Sequence, residues 1–359
     1  MANEYIEIDG SMGEGGGQIL RYSLALSSLL LKPVHIYNIR AKRSNPGLRP
    51  QHLTAVRALA QISNAEVKGD RVGSMELWFK PSARKGGVYK FNIGTAGSVT
   101  LVIQAILPAL IFSDKDSFVE ITGGTDVPWS PTIDYMRYVF AENMRRLFGM
   151  NISIDVKKRG HYPRGGGHVI LKIERMRSHI NSIDIVERKA IKAIKGRSHC
   201  VRLPSHVAVR QAKSAEKYIY QKLGIKPIID VEYYERKSDP HLGPGSGIVL
   251  YADCIDTVIG ADSIGARGKP AEKVGEEAAS KLVEELSTKM AFDRHMGDML
   301  IPYVSLACGE SRIGVAKLTM HTVTALEVTK KFLPELKYYI EGRIDEPAII
   351  KVSGVCFKV

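Results

Sequence analysis

Apolar and small residues recur along the chain in one layout that appears three times. Each copy begins with a short alternating stretch that predicts a strand, followed by a turn of small residues and an apolar run that predicts a buried helix. In the first copy the strand is predicted at residues 5–9 and the helix at 19–31, and in the second copy at 89–93 and 99–112. The third copy is degenerate, with the two stretches at 295–298 and 299–307. Each copy is therefore predicted to begin with a strand that is followed by a helix.

After its first strand and helix, each of the three copies continues with the same predicted elements. A second strand is predicted at residues 35–39, 118–122 and 313–318, and a second helix near residues 51, 131 and 321. Two closing strands are predicted within 65–80, 151–173 and 337–358. The unit is βαβαββ, so we predict an α/β (α+β) fold in which the helices of three repeats pack inward and the sheets lie outward. The repeats span about 1–85, 86–184 and 291–359.

Residues 185–290 do not follow the repeat. They contain an amphipathic helix at 207–223, an alternating strand at 228–234, a Gly/Pro loop at 240–247 and a strand at 248–253. A Lys/Glu/Ala-rich helix follows Pro270, since proline is favoured in the first turn of a helix. We predict a small α+β insert domain at 185–290 within a large domain formed by 1–184 and 291–359.

The composition favours an anionic partner. The formal net charge is +13 and the pI is near 9.4, which suits nucleic acid or nucleotides. No apolar run reaches the roughly 18 residues of a membrane-spanning helix, and residues 1–10 lack the features of a signal peptide. The four cysteines are scattered, so we expect reduced thiols and a cytoplasmic protein without a membrane partner. They are Cys200, Cys254, Cys308 and Cys356.

A glycine cluster separates the first strand from the first helix, at residues 9–21. Glycines there let backbone amides approach an anion, and the helix N-terminus adds positive potential. Glu14 within this loop could hold a Mg²⁺ that bridges phosphates. It is not a Walker A loop, because no Gly-Lys-Ser/Thr follows. The alternative is a tight structural turn.

Two further loops carry basic or glycine-rich motifs. Residues 40–52 contain several arginines before a predicted helix, a pattern that suits a phosphate or an oligonucleotide end. A solvated basic loop is the alternative. Residues 159–169 read as a glycine-rich hairpin that permits close backbone approach, and the residues alone assign no chemistry to it.

His321 lies at the predicted start of a helix. The positive potential of a helix N-terminus disfavours imidazolium, and a neutral ring nitrogen can attack a phosphorus atom. The same potential stabilises the phosphate that the ring acquires. A helix-capping or packed histidine is the alternative, because most histidines in a protein are structural.

Taken together, these stretches resemble the RNA 3′-terminal phosphate cyclase family. The hairpin is similar to the family signature at every constrained position: Arg159, Gly160, Pro163, Gly165, Gly166, Gly167 and Val169. The likeness extends over nearly the whole chain. The family implies three βαβαββ repeats interrupted by a small insert, and ATP-dependent conversion of an RNA 3′-phosphate into a 2′,3′-cyclic phosphate. Its intermediates are a histidine–AMP phosphoramidate and an RNA–adenylate anhydride.

The resemblance also implies roles for single residues. His321 matches the adenylylated histidine, and Glu14 matches the acidic residue near Mg²⁺ (or Mn²⁺). The positions matching contacts to ATP or AMP are Gln18, Arg21, Gln104, Pro131, His295, Met296, Gly297, Asp298 and Met299. Arg40, Arg43 and Gln51 match residues that bind phosphate and the RNA end. His295 stands where a tyrosine is common and Met299 where a glutamine is common, which puts nucleotide preference in question.

Three other functions are compatible with the sequence. A non-catalytic branch of the family serves in ribosomal RNA processing, but it lacks the nucleophilic histidine. A carbon–oxygen transferase of the enolpyruvyl type has a similar repeated scaffold but does not use histidine adenylylation. A plain RNA-binding protein would show an aromatic platform, and only 7% of residues are aromatic. The oligomeric state is open, with a homodimer among the options.

Overall fold

The computed structural model describes residues 5–358, and its first repeat has the predicted order of elements. The elements are β1 (Ile6–Asp9), α1 (Gly17–Leu30), β2 (Val34–Tyr37), α2 (Pro50–Ser63), β3 (Glu66–Lys68) and β4 (Leu77–Lys80). The strand order is β1-β2-β4-β3, and β1 and β2 are parallel. A parallel pair needs a crossover connection, which α1 supplies.

The second repeat forms a sheet of the same order, β5-β6-β8-β7. Its elements are β5 (Val88–Asn92), α3 (Val99–Ile111), β6 (Ser117–Gly123), α4 (Ile133–Tyr135), a π-helical turn (Met136–Phe140), α5 (Ala141–Phe148), β7 (Ile152–Lys158) and β8 (Gly167–Ile173). The second helix is thus a continuous helical segment with a π turn in its middle. The hairpin of residues 159–167 connects β7 to β8.

A short strand, β9 (Asp184–Ile185), precedes a separate α+β unit. This unit contains β10 (Ile191–Val201), α6 (His206–Leu223), β11 (Ile228–Glu232), β12 (Gly245–Cys254), β13 (Val258–Ile264) and α7 (Ala271–Ser287). Its strands are ordered β11-β10-β12-β13, and α6 packs against α7. Residues such as Ile194, Ile219 and Leu282 form a hydrophobic core of its own. A separate core is typical of a domain and supports the proposed insert domain.

The third repeat differs from its prediction at the beginning. We expected its first strand at residues 295–298, and this is wrong because these residues are helical. The repeat contains α8 (Arg294–Met299), α9 (Ile301–Leu306), β14 (Cys308–Val315), α10 (Met320–Phe332), β15 (Lys337–Glu341) and β16 (Ala348–Val355). Its first strand is β9, which pairs in parallel with β14 as β1 does with β2. The insert therefore interrupts the third repeat, and the proposed boundary at 184/185 falls inside β9.

The helices of the repeats pack inward, as predicted. Helix α1 contacts α2, α3 and α10, and Leu24, Ile103 and Leu326 are fully buried there. The sheets lie outside, with one face toward these helices. In β5, for example, Val88 is exposed while the next residue, Tyr89, is buried. Among the described residues, no helix has the length and hydropathy needed to cross a membrane.

The expectation of reduced thiols is wrong for one pair of cysteines. Cys308 and Cys356 form a disulfide, whereas Cys200 and Cys254 are free and buried. Cys308 begins β14 and pairs with Val355, the last residue of β16, so Cys356, which follows that strand, comes beside it. This proximity depends on the register of two strands, and no local spacing in the sequence reveals it.

Candidate active site

A cleft of about 930 Å³ lies where the first turns of three helices meet. Gly17 begins α1, Pro50 begins α2, and Met320 begins α10. Helix N-termini carry unpaired amides and positive potential, so a cleft built from them favours an anion. The first turn of α1 has no side-chain cap, which leaves its amides for a ligand.

Twelve of the fourteen residues predicted for the site line this cleft. They are Glu14, Gln18, Arg21, Arg40, Arg43, Gln51, Gln104, Pro131, His295, Asp298, Met299 and His321. Met296 and Gly297 are instead buried behind it. A Cβ on Gly297 would lie 3.0 Å from Thr322 Oγ1 and 3.2 Å from Val315 Cγ1, so this face of α8 packs against the third repeat.

His321 is the second residue of α10, and its side chain is 50% exposed to the cleft. Thr319 caps the helix by accepting a hydrogen bond from the Thr322 amide. Gln18 Nε2 donates to the His321 carbonyl at 2.8 Å, which ties the start of α1 to the start of α10. The sequence prediction of a histidine at a helix start is thus confirmed.

The pKa of His321 lies below its ordinary value. Partial burial lowers this pKa most, and the carboxylate of Glu14 opposes that effect. The neighbouring side chains of Arg21, His295 and Arg43 lower this pKa further. The imidazole is therefore neutral at pH 7, which is the nucleophilic form.

Glu14 lies between His321 and the basic loop. Its Oε2 is 3.6 Å from His321 Nδ1 and 4.0 Å from Arg43 Nη2, and half of the side chain is exposed. Mg²⁺ is commonly held by one or two carboxylates together with phosphate oxygens of the substrate. A single exposed carboxylate beside an anion-binding helix start fits that donor set.

The arginines differ in how free they are to bind a ligand. Burial lowers the pKa of Arg21 to about 10, with Asp298 opposing, and burial raises the pKa of Asp298 to about 7. Arg40 Nη1 already donates to the carbonyls of Asn45, at 2.6 Å, and Gly47, at 3.0 Å. Arg40 therefore holds the basic loop together in addition to facing the cleft.

Two of the cleft glutamines, Gln51 and Gln104, make contacts at or within the second repeat. Gln51 Oε1 accepts from the Ser98 amide at 3.0 Å, at the start of α3. Its NH₂ group is thus the part left to donate to a ligand. Gln104 Nε2 lies 3.8 Å from the sulfur of Met136 in the π-helical turn. The bond from Ser98 to Gln51 therefore joins the second repeat to the first, whereas the contact of Gln104 lies within the second repeat.

The sequence interpretation missed several residues of the cleft. Trp129 lies on its rim, 97% exposed and at φ +61°, a backbone conformation that bulky residues rarely adopt. His52 is buried against Gly17, and burial followed by nearby arginine charges lowers its pKa to about 3. The signal for Trp129 was its position two residues before Pro131.

The insert also contributes to the cleft wall, which the sequence did not indicate. Asp262, Lys269 and Lys281 line the cleft from β13, α7 and the loop between them. Asp262 Oδ2 accepts from both the amide and the hydroxyl of Thr132 at 2.9 Å, which joins the insert to the second repeat. These contacts span about 130 residues of sequence, so no local motif contains them.

Comparison with known proteins identifies what the chain resembles. Residues 12–337 match the model of the family described as RNA 3'-terminal phosphate cyclase. A protein of that name from Staphylothermus marinus is 65% identical over 353 residues, covering 98% of this chain and 99% of that protein. One from Desulfurococcus amylolyticus is 54% identical over 354 residues, with 98% and 99% covered.

A search of solved structures finds an EPSP synthase from Acinetobacter baumannii. It is 12% identical with a TM-score of 0.30, and the match covers 98% of this chain and 65% of that one. A likeness this distant carries no argument about function or fold.

Proposed function

The chain belongs to the RNA 3′-terminal phosphate cyclase family, and from this premise we propose that it uses ATP to convert an RNA 3′-phosphate into a 2′,3′-cyclic phosphate. The observation that carries the proposal is the half-exposed imidazole of His321, with its lowered pKa, at the start of α10. It faces a cleft in which helix N-termini and arginines favour phosphate. A cytoplasmic location and the oligomeric state stay predictions.

In the first step, His321 attacks the α-phosphorus of ATP. A carboxylate beside Nδ1 favours the tautomer that carries its proton there, so Glu14 leaves the Nε2 lone pair for attack. The N–P bond forms while the bond from the α-phosphorus to the bridging oxygen of the β-phosphate breaks, and pyrophosphate leaves. The positive charge of the resulting ring is stabilised by Glu14, and its phosphoryl oxygens by the helix start.

In the second step, an oxygen of the RNA 3′-phosphate attacks the phosphorus bound to His321. The P–N bond breaks, the imidazole returns to its neutral form, and the RNA carries AMP through an anhydride. The neighbouring 2′-hydroxyl then attacks the 3′-phosphorus, loses its proton to solvent and displaces AMP. Such an intramolecular attack gains an effective molarity of about 10⁵–10⁸ M. Activation is needed because a phosphate monoester does not readily expel hydroxide.

The remaining cleft residues suit binding. Arg21, Arg40 and Arg43 match the phosphates of ATP or of the RNA end, since arginine donates to phosphate through a planar fork. Glu14 would hold Mg²⁺ or Mn²⁺, which when bound neutralises charge on phosphate oxygens. Pro131 and His295 offer flat surfaces for adenine. Exposed Trp129 offers a face on which a base of single-stranded RNA can stack.

The main alternative is a non-catalytic relative that acts in ribosomal RNA processing. The presence of His321 in the cleft, close to Glu14, favours catalysis. The two proposals differ in one measurable property, because a non-catalytic relative acquires no AMP.

The test is intact-protein mass spectrometry after exposure to ATP and Mg²⁺. We expect the native chain to gain one AMP and His321→Ala to gain none. His179→Ala is the matched control, because His179 is exposed and outside the cleft, and it should gain AMP as the native chain does. Labelling of His321→Ala equal to that of the native chain would show that another residue is the nucleophile. Absence of label on the native chain would favour the non-catalytic alternative.

A further inference from the structure

Two buried histidines and an aspartate meet between the second repeat and the insert. Asp126 follows β6, His161 lies in the hairpin between β7 and β8, and His199 belongs to β10. Their side chains are almost inaccessible to solvent. None of the three is among the described residues that line the cleft. The proposed reaction uses neither this cluster nor the glycine-rich hairpin of residues 159–167.

The ligand atoms of this cluster are spaced as metal ligands are. His161 Nε2 lies 3.3 Å from His199 Nε2, and His199 Nε2 lies 3.9 Å from Asp126 Oδ2. One such atom from each residue lies within 4.8 Å of the others. Two nitrogens bound to a tetrahedral Zn²⁺ at 2.0–2.1 Å stand about 3.3–3.4 Å apart. The two imidazoles therefore already have the separation of a pair of zinc ligands.

The carboxylate of Asp126 is left incompletely partnered. Thr125 Oγ1 donates to its Oδ2 at 2.6 Å and so fixes its orientation, while Oδ1 is buried without a hydrogen-bond partner. Buried polar atoms almost always have a partner, and a second donor to the ligating group is typical around bound metals. The carboxylate therefore has capacity left to bind a cation beside the two imidazoles.

The buried charges around the cluster also call for a cation. Arg159 is fully buried, and its guanidinium donates to Asp134 at 2.7 Å and to Glu232 at 2.8 Å. Its contact with Asp126 is longer, at 3.4 Å. Arg159 thus has its two closest contacts with Asp134 and Glu232, and Asp126 is the carboxylate that it compensates least. An uncompensated buried charge is costly, and a divalent ion removes that cost.

Both imidazoles are buried, and Nδ1 of His199 has no hydrogen-bond partner among the described residues. An imidazole nitrogen is a common ligand of zinc, so both rings suit such an ion.

We propose that Asp126, His161 and His199 bind a divalent ion of the zinc class that joins the glycine-rich hairpin to the insert domain. Two imidazoles and one carboxylate suit Zn²⁺ or Co²⁺, whereas Mg²⁺ and Ca²⁺ prefer oxygen ligands alone. The ligands come from both the large domain and the insert, so the ion has a structural role. The site is separate from the cleft and does not rest on the proposed reaction.

The experiment is a titration of the metal-free protein with Co²⁺, followed by its visible absorption, with Zn²⁺ as competitor. A Glu14→Gln background removes the carboxylate of the cleft as a source of signal. We expect one equivalent of Co²⁺ with the bands of a four-coordinate site, and its displacement by Zn²⁺. His199→Ala should weaken binding at least tenfold. His206→Ala, an exposed histidine of the same insert, should bind as the parent does.

Circular dichroism checks that each variant is folded. If His199→Ala does not fold, Asp126→Asn replaces it, because the amide keeps the size of the side chain and an oxygen for Thr125. Failure of the parent protein to bind a stoichiometric ion overturns the proposal. Undiminished binding by the folded variants overturns it too, and the two rings are then joined by a direct hydrogen bond alone.

Discussion

The carboxylate of Glu14 influences the pKa of His321 across 3.6 Å. In the proposed reaction, the imidazole must be neutral to attack and becomes positive when it carries AMP, so the nearby carboxylate would have opposite effects before and after the attack. It raises the pKa of the free ring, and it stabilises the positive ring of the intermediate. Burial and the neighbouring Arg21, His295 and Arg43 side chains outweigh this effect of Glu14 in the free protein, which keeps the pKa of His321 below its ordinary value.

Glu14→Gln should therefore lower the pKa of His321 further, because it removes the one charge that raises this pKa. The neutral ring then persists to more acidic pH, and the midpoint of the titration moves down. NMR titration of the His321 ring in the free protein measures this directly. His179 serves as an internal reference whose midpoint should not change. An upward movement of the His321 midpoint would contradict the electrostatic account.

At the residue scale, the sequence predicted the cleft residues that belong to contiguous motifs. It also included Met296 and Gly297, which the structure places behind the cleft. Had residues 294–299 been predicted as a helix, the spacing i, i+3 and i+4 would have selected His295, Asp298 and Met299 alone. The insert residues Asp262 and Lys281 were out of reach, because their place depends on how two domains pack.

Among the elements, the hairpin between β7 and β8 depends most on glycine. A Cβ on Gly160 would lie 2.3 Å from the Gly123 carbonyl oxygen and 2.4 Å from the Gly167 amide nitrogen. These are backbone atoms of neighbouring strands, so they cannot move aside as a flexible side chain would. The glycines of this hairpin are thus explained by the close packing of backbone around Arg159.

Gly160→Ala should destabilise the protein by about 3 kcal/mol or more, the upper range for overpacking. Gly149→Ala is the comparison, because a Cβ there meets nothing within 4 Å and the cost is only that of the left-handed backbone at φ +68°, about 1 kcal/mol. Chemical denaturation gives both free energies of unfolding. Equal losses for the two variants would show that the hairpin tolerates a side chain.

Most elements could be predicted because α1 and α3 follow turns of small residues and many of the strands alternate between apolar and polar residues. The exception is β9. Its two residues are too few to show the alternation of apolar and polar residues that indicates a strand, and the rest of its repeat follows only after the insert. The prediction placed the missing strand at residues 295–298, but Asp293 caps a helix there by accepting from the amides of His295 and Met296. A capping aspartate was the available local signal.

At the scale of the whole molecule, the disulfide closes the third sheet. Cys308 and Cys356 are 48 residues apart, and a cross-link over such a loop stabilises by roughly 4 kcal/mol in the chain-entropy model. Cys356→Ser should lower the free energy of unfolding by about that amount, and added reductant should then have no further effect. The native chain in reductant should match the variant. Four free thiols in the unreduced native chain would contradict the pairing.

The insert leaves and rejoins the third repeat at one point. Glu187 and Met290 form an antiparallel bridge, with Arg188 donating to Lys289 and Ala291 donating to Val186, each at 3.0 Å. The whole α+β unit is thus inserted between two adjacent chain segments that are joined to each other by backbone hydrogen bonds. A short β-turn could replace it without breaking the sheet, and the truncated chain would keep the start of α10 while leaving Arg159 without Glu232 and the cleft without one wall.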